Sequence, residues 1–95
     1  MTSKIKSPIQ VATFRENYTL QANTARSVTV TPEQLGLSGK NVRVLMTTVA
    51  TGAPRLNSWY LDWQNYVPGV GVIVSMLSST ARTPTVEVQV LYYEN

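Results

Sequence analysis

The sequence predicts an all-β protein: an antiparallel β-sandwich of about six or seven strands with an extended N-terminal arm. Three observations predict it. Apolar and polar residues alternate in short runs, and turn signals recur roughly every ten residues. β-Branched residues are abundant, while charged residues make up only 14% of the chain, against the ~25% typical of globular domains. No segment of helix length carries a 3.6-residue apolar period, which argues against a βαβ arrangement.

Residues 1–8 read as a flexible arm and residues 9–95 as a single β-sandwich domain. Pro8 opens the run Ile9-Gln10-Val11-Ala12-Thr13-Phe14, in which Ile9, Val11 and Thr13 share one face. A turn at Glu16-Asn17 leads to the short apolar stretch Tyr18-Thr19-Leu20. The polar segment 21–26 precedes the alternating strand Ser27-Val28-Thr29-Val30-Thr31.

Thr31-Pro32-Glu33-Gln34 carries a helix-start signal. Thr31 suits the cap, Pro32 the first helical position, and Gln34 closes a capping box. Gly36 follows at once, so the spacing predicts one turn of helix between two strands.

Asn41 to Val49 reads as a long strand with apolar groups on both faces. Val42, Val44, Met46 and Thr48 share one face, and Arg43, Leu45, Thr47 and Val49 the other. Thr51-Gly52-Ala53-Pro54 is a turn. In the next strand Trp59, Leu61 and Trp63 alternate with Tyr60, Asp62 and Gln64. Pro68-Gly69 makes another turn, and Val70, Val72, Val74 and Met76 alternate again. A polar loop, 78–84, leads to a last strand with Val86, Val88, Val90 and Tyr92 on one face. Its other face carries Glu87, Gln89, Leu91 and Tyr93.

Composition limits the chemistry. The chain has no cysteine and no histidine, which excludes disulfides, thiolate metal sites, cysteine nucleophiles and imidazole bases. The hydroxyls of Ser78, Ser79 and Thr80 have no base near them in sequence. Asp62 and Glu87 are isolated carboxylates on strands. Gly69-Val70-Gly71 lacks the third glycine, helix and lysine of a phosphate loop, so its glycines read as turn and close-packing residues. No catalytic residue, cofactor or metal is expected, and the chain reads as no enzyme.

The net charge of +3 is dispersed, whereas nucleic-acid binders concentrate basic residues on one face. Single-stranded nucleic acid, met by aromatics among Arg43, Arg55 and Arg82, is therefore the third-ranked partner. The longest apolar stretch, Val67 to Leu77, is broken by glycine and too short to span a bilayer.

Two sets of residues stand out. Tyr60, Asp62, Asn65 and Tyr66 mix rings with amide and carboxylate groups, the chemistry that stacks on a sugar face and bonds its hydroxyls. Trp59 and Trp63, of opposite parity, are expected in the core or at a subunit interface. Leu45, Val49, Ile73, Leu91 and Tyr93, with Leu77 and Tyr60, fall on the parity opposite to the core set Val28, Val42, Trp59, Val72 and Val88. A small chain has no second core for them, so they predict an oligomer interface.

From Val42 to Asn95 the pattern resembles the H-type lectin family. The resemblance lies in Val42-Arg43-Val44-Leu45-Met46, the Pro-Gly turn into Gly71-Val72-Ile73-Val74, and Val88-Gln89-Val90-Leu91-Tyr92-Tyr93-Glu94-Asn95. It implies a trimer of six-stranded sandwiches with affinity for galactose-type sugars. The family's middle-strand arginine is replaced here by Ser58 or Trp59. Its aromatic-histidine pair is missing from Leu77-Ser78-Ser79-Thr80-Ala81-Arg82, so the resemblance carries the fold rather than the sugar site.

The Thr/Val/Asn-rich, cysteine-free composition also resembles small bacteriophage virion proteins: head decoration, tail-tip and fibre-head modules. That resemblance implies a structural protein in the virion, made in the host cytoplasm. It would be trimeric and joined to a larger assembly through an arm that includes Lys4, Ile5, Lys6 and Ile9. A chain of 95 residues is shorter than most tail fibres, so a surface or decoration role is expected. A carbohydrate-binding module contacting a host-surface glycan is the alternative. No membrane partner is expected.

Overall fold

The computed structural model describes residues 8–51 and 59–95. Lys4, Ile5 and Lys6 of the expected arm, most of the turn after Thr51, and Arg55 and Ser58 lie outside the described residues. The rest is predominantly β. In chain order the elements are β1 (Gln10–Asn17), β2 (Arg26–Val30), α1 (Pro32–Leu35), β3 (Val42–Thr51), β4 (Trp59–Trp63), β5 (Val72–Ser78) and β6 (Thr85–Glu94). They form two three-stranded antiparallel sheets, ordered β1-β6-β3 and β2-β5-β4.

Period-2 alternation explains the two central strands. On β6, Val86, Val88, Val90 and Tyr92 point inward and are buried. On β5, Val72, Val74, Met76 and Ser78 do the same. Residues of both sheets join one buried cluster, with Ala12 and Val49 from the first and Val30 and Trp59 from the second. Full burial of a valine or methionine side chain contributes about 1.5–3 kcal/mol, so these rows supply the main driving force.

The connector after β2 folds as its sequence predicts. The Thr31 hydroxyl accepts the Gln34 N–H at 3.3 Å, and the Gln34 side chain accepts the Thr31 N–H at 3.0 Å. Pro32 opens the turn, and Gly36 ends it at φ 73°. Leu35 and Leu37 are thereby turned inward.

The β4–β5 connection is also sequence-coded. Val70 N–H bonds the Val67 carbonyl at 3.0 Å across Pro68-Gly69, and Gly69 takes φ 80°, as a type II turn requires. Val70 belongs to this turn, and β5 starts at Val72. Gly71 has φ 109°, and a Cβ there would collide with the Val30 carbonyl oxygen. Only glycine lets β2 approach so closely.

Strand β3 departs from simple alternation. Val44 pairs with Tyr92, but Met46 pairs with Leu91, so an extra residue bulges out of the strand between them. The bulge reverses the phase of everything after it. Val42 and Val44 point inward; Leu45 and Met46 both face outward; Thr47 and Val49 then turn inward. Val49, expected on the outer set, is a core residue at 8% exposure.

The inward Thr47 links the two sheets. Its hydroxyl donates to Asn65 Oδ1 at 2.6 Å and accepts the Tyr66 N–H at 2.9 Å. Its carbonyl accepts the Trp63 indole N–H at 3.1 Å. Thr47→Val keeps the shape but leaves the Tyr66 N–H without its acceptor, and should cost about 1–3 kcal/mol. The check is a lower urea midpoint at unchanged slope, with Thr47→Ser retaining most of the stability; a midpoint unchanged in Thr47→Val would contradict this role.

Candidate functional site

The outer face of the β1-β6-β3 sheet is banded. Register places Met46, Leu91 and Val11 side by side across the three strands. The next outward level is Thr48, Gln89 and Thr13, and the next Ala50, Glu87 and Arg15. Arg43 and Tyr93 pair on the other side of the apolar level, with Ile9 just before β1. The bulged Leu45 adds to the apolar end. Val11, Leu45 and Met46 are 54%, 48% and 50% exposed. One half of this face is therefore mostly apolar, with Arg43 at its outer edge, and the other is polar, ending in Arg15 and Glu87.

Arg15 and Glu87 are direct cross-strand neighbours, yet no ion pair joins them among the described residues. Around them lie two shallow concavities. One, of about 350 Å³, is lined by Arg15, Glu16, Asn17 and Thr85. The other, of about 210 Å³, is lined by Arg15, Ala50, Thr51, Thr85 and Glu87. Thr85 is held in place by donating its hydroxyl to Asn17 Oδ1 at 2.6 Å.

The outer face of the second sheet is more mixed. Tyr60 pairs with Leu77, and Asp62 with Ser75, which exchanges a 3.1 Å hydroxyl bond with Ser27. Ile73 lies on this face, opposite Thr29. The expected interface set is thus divided. Leu45, Leu91 and Tyr93 belong to one sheet's outer face, Ile73 to the other's, and Val49 to the interior.

The expected ligand set is divided as well. Tyr60 and Asp62 share an exposed face of β4. Asn65 commits its side-chain oxygen to Thr47. Tyr66 is 6% exposed, so its ring packs in the core. Burial pushes its phenol pKa up, and the Glu33 carboxylate adds to this.

Two cations stack on rings where the 17–26 and 78–85 connections meet. Arg26 lies 5.4 Å from the Tyr18 ring centre and donates to the Thr19 carbonyl at 2.7 Å. Burial raises the Tyr18 phenol pKa, Glu16 reinforces this, and Arg26 opposes it. Arg82 lies 5.4 Å from the Trp59 ring. The buried Trp59 Nε1 and Arg82 Nη1 find no acceptor among the described residues. Leu20 and Arg82 exchange backbone bonds of 2.7 and 3.1 Å that pin these connections together.

Among the described residues no three acidic side chains group as metal ligands would, and no helix is long and apolar enough to cross a membrane. Comparison with protein families, curated proteins and solved structures returns no match.

Sequence reasoning missed Met46 and Val11 as outer-face residues. Val11 could have been placed by its alternation with Thr13 and Arg15, whereas Met46 depends on the bulge. Tyr66→Ala should cost about 3–5 kcal/mol, as truncating a buried aromatic does. Tyr60→Ala should stay within about 0.5 kcal/mol, as surface changes do. Paired denaturation curves check this, and equal losses would refute the division between core and surface.

Proposed function

We propose that this chain is a non-enzymatic structural protein of a bacteriophage particle, a surface, decoration or tail-associated module that works through its contacts. In this reading the two sheets are the layers of an antiparallel β-sandwich, and the assembled state is a trimer. The virion assignment rests on the Thr/Val/Asn-rich, cysteine-free composition. The arm at residues 1–8 attaches the module to the larger particle.

One observation carries the reading. The apolar half of the β1-β6-β3 outer face keeps Val11, Leu45 and Met46 about half exposed, although the core beneath is already filled by Ala12, Val88 and Val90. Twisting the sheet does not bring these side chains into that core, since register fixes them on the opposite face. Burial against another copy removes them from water, at roughly 25 cal/mol per Å².

Leu91→Glu places a charge in the middle of the apolar level without touching the core. Sedimentation equilibrium should show wild-type trimers and mainly monomers of Leu91→Glu at micromolar concentration, with both chains folded. A wild-type monomer would end the assembly reading. A second reading, a glycan-binding module for host attachment, is favoured by Tyr60 and Asp62 standing together and exposed on β4. Glycan-array binding that disappears in Tyr60→Ala and Asp62→Ala would select it.

A further inference from the structure

The outer face of the β1-β6-β3 sheet is ordered along its length as well as apolar, and the order bears on how two copies meet. We propose that copies of this chain pack through this face in parallel, level against level, with Arg15 of one copy paired to Glu87 of the next. The inference rests on the assembly reading above and adds the direction of packing and its polar contact.

The levels run Arg43 and Tyr93, then Met46, Leu91 and Val11, then Thr48, Gln89 and Thr13, then Ala50, Glu87 and Arg15. In a ring of copies whose axis runs along the strands, each level meets its own counterpart. Apolar meets apolar, the Thr-Gln-Thr level meets its own hydroxyls and amide, and the charged level meets a level carrying both signs. In an antiparallel two-fold pairing of the whole face, Met46, Leu91 and Val11 meet Thr48, Gln89 and Thr13 instead of their own kind, and Arg15 and Glu87 meet Arg43 and Tyr93. Apolar side chains then cover hydroxyl and amide groups that have no partner on the facing level, which is unfavourable.

The charged level is suited to pairing between copies. Arg15 and Glu87 lie opposite each other without forming an ion pair in their own protomer. The concavity of about 210 Å³ beside them, lined by Arg15, Ala50, Thr51, Thr85 and Glu87, leaves room for an incoming side chain. Ala50, the small residue of the level, keeps that approach open. The same arrangement serves as a register device, since charge pairs that become dry on association favour one alignment over its alternatives.

The test uses charge reversal and mixing on the full chain. Arg15→Glu gives copies with only acidic charge at this level, and Glu87→Arg gives copies with only basic charge. Each alone should assemble at least about tenfold more weakly than wild type at low salt, a loss in the range measured for close interfacial charge pairs. An equimolar mixture of the two variants should recover assembly in part, since a three-membered ring of two kinds always keeps one like-charged contact, and the double variant should recover it fully and alone. Thermal melts establish that each variant is folded; if a reversal unfolds the chain, Arg15→Gln and Glu87→Gln replace it and should each weaken assembly.

The outcomes separate the two readings. A wild-type monomer overturns assembly itself. A wild-type oligomer whose single reversals assemble normally, or whose double variant shows no recovery, keeps assembly but overturns parallel packing through Arg15 and Glu87.

Discussion

The β-bulge between Val44 and Met46 is the constraint on which the rest of the structure depends. A single extra residue in β3 changes which side chains the strand sends to each face. Without it, Met46 and Thr48 would continue the inward row of Val42 and Val44, and Thr47 and Val49 would face out. With it, Leu45 and Met46 are both exposed, and the interior gains Val49 and Thr47. A bulge costs one unpaired position in the ladder. The core contact of Val49 and the Thr47 hydrogen bonds are obtained only in that phase.

The two consequences are physically linked. Thr47 ties β3 to the end of β4 and to the connection beyond it through its hydroxyl and carbonyl, joining elements of the two sheets. The residues displaced by the same phase change, Leu45 and Met46, enlarge the apolar half of the outer face beside Leu91 and Val11. A buried polar tie and an exposed apolar surface thus have one origin. In a chain of 95 residues the core is small and the exposed fraction large, so the apolar surface has more effect here than it would on a larger domain. The proposed assembly uses that surface.

Much of the fold was legible in the sequence because its local signals are strong. Valine alternation on β5 and β6, the Thr31-Pro32-Gln34-Gly36 connector and the Pro68-Gly69 turn are each written in adjacent residues, and each forms as expected. The bulge was hidden because Leu45 and Met46 are both apolar, so a continuous strand and a bulged one read alike. That ambiguity put Val49 in the wrong set. It also left Met46 out of the outer face. Tyr66 was misread for a different reason. Its neighbours Asn65 and Gln64 are polar and exposed, but the Thr47 hydroxyl captures the Tyr66 backbone N–H and the ring is buried. The pairing of Arg15 with Glu87 across β1 and β6 depends on register between strands far apart in sequence, which alternation within one strand does not specify.

Methionine oxidation reads the bulge and the assembly together, because the bulge sends Met46 out while Met76 stays in. Met46 is 50% exposed and Met76 1% in the single chain. Peroxide footprinting of the wild-type protein across a dilution series, read by peptide mass spectrometry, reports both sites at once. Met46 should oxidise readily when dilute and become protected as concentration rises, in step with the assembled mass, while Met76 should be protected throughout. Equal oxidation of Met46 at every concentration, in samples whose mass shows assembly, would contradict packing through the face that carries Met46.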